Sequence, residues 1–219
     1  FGAGCAPPGI ARPIKQSRKG SFGIITSNSG KSLKFPSMPP VTVHPDRIRE
    51  FPTAESFYTW LSLHHDSQPE VWIKIHKVNS GLPSITPKEA IDAALCWGWI
   101  DAIRKSFNET SFLQRYTPRG RKSIWSQVNV ANVNRLIADN RMTPHGLRHV
   151  EAAKADGRWQ RAYAAGKEMR IPPDLQAAID ASPQARAMLI QLSAQNRFAL
   201  AFRVHNMKTE AGRKKKIQA

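Results

Sequence analysis

Cysteine is nearly absent from this sequence. Two occur in 219 residues, Cys5 in a stretch without hydrophobic pattern and Cys96 inside an apolar run, so a disulfide framework is excluded and a reducing compartment is implied. Long apolar runs are missing too. None approaches the ~18 residues of a membrane-spanning helix, and the opening FGAGCAPPGIARPIKQ lacks the apolar centre of a secretory signal, so a cytoplasmic location is expected. Acidic residues are scarce, with 16 Asp+Glu against 33 Lys+Arg and a formal charge of +17, which favours partners carrying phosphate, carboxylate or acidic lipid heads. The excess is concentrated at the ends: residues 1–40 hold six basic residues and no acid, and Arg203 to Ala219 holds six against Glu210. The chain opens on Phe1 and stops at RKKKIQA within a helical pattern, which suggests a fragment.

Residues 1–40 are rich in Gly, Ser, Pro and Lys without periodicity, and they read as a basic disordered extension. Their SGKS resembles the end of a phosphate-binding loop, but Ile25 stands where that loop needs its first glycine, so the match fails.

Beyond Pro39 the signals sharpen. RIREFPTAESFYTWLSLHH reads as a helix capped by Thr53, and EVWIKIHKV alternates as a half-buried strand. Thr86-Pro87-Lys88-Glu89 combines an N-cap, a first-turn proline and a capping-box glutamate, and opens a helix expected to run into Trp97-Gly98-Trp99. IRKSFNETSFLQRYTP reads as a β-hairpin interrupted at Asn108-Glu109. Ser126 and Thr143 cap two further helices, and after Trp159 a linker leads to short helical segments. The fold class is α+β: a small mixed or antiparallel sheet covered by helices, followed by a small C-terminal helical module. The expected division is 1–40 extension, 41–160 core, 161–172 linker and 173–219 helical module, the last cut before its final helix ends.

Four ordered stretches carry a resemblance: GLPSITPKEAIDAALCWGWIDAIRKSF, SFLQRYTPRGRKSIWSQVN, RLIADNRMTPHGLRHVEAAKADGRW and NRFALAFRVHNMKTEAGRKKKI. Together they resemble the YdeI/OmpD-associated, or bacteriocin-protection, family from about Val41 onwards. Ala102 and Gly120 depart from the family's usual pattern beside the motifs. The resemblance implies a non-enzymatic bacterial protein of tolerance to cationic antimicrobial peptides or bacteriocins, with a protein partner in an outer-membrane porin pathway and no cofactor.

The residues themselves nominate a binding patch. Trp97 and Trp99 suit an aromatic platform or, more ordinarily, the packing of a helix end around Gly98. Asp101 closes that apolar run and needs a partner, for which Arg104, Arg115 and Arg119 are the candidates. With Arg121 and Lys122 these arginines form a basic patch around Tyr116 and Trp125, able to hold a phosphate or carboxylate. Trp99, Asp101, Arg104, Arg115, Tyr116, Arg119, Arg121, Lys122 and Trp125 are therefore the anion-site candidates. Strand alternation is expected to bring Arg104 and Arg115 onto one face. His145 and His149 stand four apart, but no third ligand accompanies them, so no metal is assigned. Cys96 between Leu95 and Trp97 reads as an inert thiol. The reading leans towards binding over catalysis. A nucleic-acid-binding protein using RYTPRGRKSIW is one alternative, and an enzyme acting on a small anion near Asp101 and Arg104 is another.

Overall fold

A computed structural model describes residues 41–164 and 169–218. The extension read over 1–40, Cys5 and part of the 161–172 linker lie outside the described residues.

A short turn at Pro45–Arg47 leads into β1 (Ile48–Arg49), α1 (Ala54–His64) and β2 (Val71–His76). Then come α2 (Pro87–Cys96), the hairpin of β3 (Trp99–Ser106) and β4 (Ser111–Pro118), α3 (Gln127–Ala138) and α4 (Pro144–Ala155). Among the described residues four further helices follow: α5 (Pro173–Asp180), α6 (Pro183–Gln191), α7 (Ala194–His205) and α8 (Glu210–Gln218). The sheet order is β1-β2-β4-β3, with β1 parallel to β2 and the other pairs antiparallel, so the fold is α+β around a small mixed sheet. Among the described residues no helix is long and apolar enough to cross a membrane.

Local chemistry explains the boundaries. Thr53 and Thr86 each accept from the N3 amide of their helix, and Ser56 and Glu89 bond back to the cap, completing two capping boxes. The Thr53 cap stands where expected and α1 begins after it, but the part of that stretch ahead of the cap is corrected: Ile48 and Arg49 pair in the sheet. Helix α2 stops at Cys96 and does not include the Trp-Gly-Trp segment, because Gly98 turns the chain at φ +69 and sends Trp99 into β3.

Val71, Ile73 and Ile75 pack with Phe57, Leu61, Ala90, Trp99 and Tyr116 between the sheet and helices α1 and α2. Leu95, Cys96 and Trp125 join Val133, Leu136 and Val150 in a second cluster beneath α3 and α4. Burying such side chains contributes about 1.5–3 kcal/mol each. A third, smaller cluster of Leu175, Ile179 and Val204 holds the C-terminal helices, with Leu189 and Ile217 packed against it.

Candidate functional site

One irregularity in the hairpin builds the site. Asp101 faces Tyr116 across the ladder and Arg104 faces Gln114, so three steps along β3 span two along β4. This bulge rotates the strand beyond Asp101 and puts Arg104 on the same face as Asp101 and Tyr116. Arg115, one residue from Gln114 and from Tyr116, points to the opposite face. The expected meeting of Arg104 with Arg115 is therefore overturned. Gln114 seals the bulge: its amide nitrogen donates to Ala102 O at 3.2 Å, and its oxygen accepts from Arg104 Nε at 3.0 Å.

The nine candidates consequently separate. Trp99 is a core residue whose Nε1 donates to His65 O at 3.0 Å, and its ring meets Trp60 edge-on. Arg115 pairs with buried Glu70 at 2.6 Å, and Glu70 also pairs with Arg47 at 2.9 Å. Burial pushes the Glu70 carboxyl up, but the hydrogen bonds from Arg47 and Arg115 outweigh it and hold its pKa below the ordinary carboxylate value. Arg121 and Lys122 lie exposed in the turn after Gly120. Asp101, Arg104, Tyr116, Arg119 and Trp125 remain as one electrostatic neighbourhood.

Arg119 is its centre. Pro118 ends β4, Arg119 N donates to Gly98 O at 2.9 Å, and the chain then folds back through the Gly120–Ser123 turn. The guanidinium lies over the Trp125 ring at 3.7 Å and donates from Nη1 to Ile124 O at 3.0 Å. Only 3% of the residue is exposed, yet Nε and Nη2 find no hydrogen-bond partner among the described residues. These two groups form one edge of the guanidinium, the edge that takes a carboxylate or phosphate with two parallel bonds. Burial, reinforced by the charge of Arg158, lowers the Arg119 pKa to about 10, so it is still a cation at neutral pH.

The other groups share that enclosure. Tyr116 is fully buried, and its hydroxyl also lacks a partner among the described residues. Its pKa is raised by burial and by Asp101. Burial raises the pKa of Asp101 itself, against the opposing pull of Arg119 and Arg104. The salt bridge expected for Asp101 does not form: the carboxylate is within electrostatic reach of both arginines but belongs to no ion pair among the described residues. Tyr163 borders the same region, and its pKa is raised by burial and by Asp101.

Sequence reasoning missed the wall behind Gly98. A Cβ at that position would collide with the His149 ring, and His145 lies 3.3 Å from it. Trp97, His65, His145 and His149 form a chain of tilted and edge-on ring contacts, with the His65 and His145 centroids 4.4 Å apart. Burial lowers the pKa of both His145 and His149, aided by neighbouring positive charge. Arg148 lies 2.7 Å from His145 Nδ1, and no group of three or more metal-ligating side chains assembles among the described residues. The unusual Gly98 and the HGLRH spacing were the visible signals, but neither reveals in sequence that the two segments touch. Cys96 is buried, with its thiol pKa pushed up to about 11, and stays protonated at neutral pH.

Comparison with known families divides the chain. Residues 49–149 match a family described as Domain of unknown function (DUF8412), and residues 168–219 match one described as Bacteriocin-protection, YdeI or OmpD-Associated. The YdeI/OmpD-associated resemblance thus rests on the C-terminal helices, while the segment carrying Asp101 and Arg119 matches the family of unknown function. No curated protein and no solved structure matches the chain.

Proposed function

We propose that this chain is a non-enzymatic binding protein of bacterial tolerance to bacteriocins or cationic antimicrobial peptides, working through an anion held by Arg119. The carrying observation is the buried guanidinium whose two-donor edge is unengaged among the described residues, because a desolvated cation requires a counter-charge and this edge fits an oxyanion. The biological setting is supported by the match at residues 168–219.

Charge argues for an anionic ligand and against direct capture of a cationic peptide. A chain of formal charge +17 repels such peptides at long range, so protection by sequestration is disfavoured and protection through an acidic partner is favoured. A binding role also suits the chemistry, since the protonated Cys96 thiol is a poor nucleophile. Cytoplasmic residence and a partner in an outer-membrane porin pathway belong to the same proposal.

The test is survival of a susceptible bacterium, lacking its own copy, when challenged with a cationic peptide or bacteriocin. Wild-type protein should raise the lethal concentration, and Arg119→Met at equal soluble level should not. Equal protection by both proteins, or none by the wild type, would refute the reading.

A further inference from the structure

A cavity of about 620 Å³, lined by none of the residues of the Arg119 site, lies between Asp46–Arg49, the start of β2 and the C-terminal half of α1. That volume lies within the range of about 300–1,000 Å³ occupied by small-molecule sites. Two aromatic rings form one wall. Trp60 is half-buried, its ring near-parallel to Phe57 and edge-on to Trp99, and His64 follows one turn later with its ring 4.9 Å from that of Trp60.

Arg47 and Arg49 supply positive charge from the adjoining segment. Glu70 at the base holds Arg47 by one oxygen and Arg115 by the other, so one arginine is fixed by a carboxylate that the second already neutralises. Arg49 is differently placed. Its Nη1 donates to Asp46 O at 2.7 Å and Ile48 O at 2.8 Å, which anchors the head to main chain and leaves its charge without a carboxylate partner among the described residues. Asp46 also lines the cavity, so the local excess of positive charge is small.

We infer that this cavity binds a planar aromatic molecule bearing one anionic group, stacking its ring on Trp60 and His64 and directing its phosphate or carboxylate to Arg49 and Arg47. Ring stacking supplies affinity, and the guanidinium supplies the discrimination for an anion. A polyphosphate is a poorer match, because Asp46 and Glu70 oppose the additional charge. The inference is independent of the proposed role of Arg119, which follows the end of β4 and does not line this cavity.

The full chain is titrated by calorimetry with adenosine monophosphate, adenosine, indole acetate, indole and inorganic phosphate. Saturable binding of adenosine monophosphate alone identifies a nucleotide site, binding of indole acetate alone identifies an aromatic carboxylate site, and binding of both supports the class as a whole. The uncharged parents and inorganic phosphate should bind at least about tenfold more weakly than the favoured probe. Arg49→Gln, at an exposed position, should weaken that probe by a similar factor of about ten, whereas Arg119→Met should leave it unchanged. Trp60→Phe should weaken binding in protein whose far-UV circular dichroism is unaltered; if that variant misfolds, Arg49→Gln alone decides. Failure of both aromatic anions to bind, equal binding of the uncharged parents, or indifference to Arg49→Gln would overturn the inference.

Discussion

Asp101 and Arg119 are opposite charges close enough to feel one another, yet burial dominates both. The pKa of Asp101 is raised in the fold, so ionising it costs folding free energy. Its contribution is fully present below the unfolded pKa near 3.8 and is lost as pH rises through the higher folded value. Asp101→Asn should therefore raise the melting temperature at pH 7, with the gain vanishing below about pH 4, where the native carboxyl is itself neutral. A loss of stability at pH 7 would instead identify Asp101 as the structural counter-ion of Arg119. The histidines have the other sign. Their depressed pKa values leave stability intact above the ordinary histidine value of 6.5 and remove it as pH falls through the lower folded values. His149→Gln should flatten the stability profile on the acid side of that value, checked by thermal melts across pH.

The turn between α2 and β3 couples elements that are remote in sequence. Gly98 adopts a left-handed conformation and lies against the His149 ring, while Thr143 at the start of α4 donates to Cys96 O at 2.6 Å and caps its own helix through Gly146 N. Gly98→Ala would add the left-handed penalty of about 1–2 kcal/mol to the ring overlap, costing about 2–4 kcal/mol in total by chemical denaturation. A change within a few tenths of a kcal/mol would refute the packing argument. Elements such as the capped helices at Thr53, Thr86, Ser126 and Thr143 were legible because caps and periodicity are local. Strand β1 was not, since two residues carry no period and their pairing with Trp72 and Ile73 is made across the fold. The hairpin was readable, but its bulge was not, because Gln114 fills it from the facing strand. That single residue of register turned Arg104 towards Asp101 and left Arg115 to Glu70, a partner 45 positions away that sequence inspection did not propose. The candidate list thus held the central Arg119 and Tyr116 but joined two separate charge clusters into one.

At the scale of the whole molecule, the apolar core is divided, and so are the family matches. The clusters around Phe57 and Leu136 draw on the α+β body, whereas Leu175, Ile179 and Val204 close a separate cluster among the last four helices. Tyr163 connects the two parts, bridging to Ser126 and packing its ring against Phe198 and Phe202. Helix α8 is better supported than its lysine-rich sequence suggests: Arg213 reaches Asp174 with two nitrogens and Val204 O with a third, and Ile217 joins the small cluster. Hydrogen exchange should consequently be slow around Arg213 relative to a free peptide of this sequence. A core of so few buried side chains is marginal beside that of the body, and calorimetry of the full chain should resolve two transitions with the C-terminal helices melting first. Ile179→Ala removes a buried side chain from the small cluster and should cost about 2–4 kcal/mol, lowering the first transition alone. Leu136→Ala should act with similar size on the second alone. If both substitutions moved one common transition, the Tyr163 contact would be strong enough to make body and C-terminal helices a single cooperative unit, and the proposed division of the chain would fall.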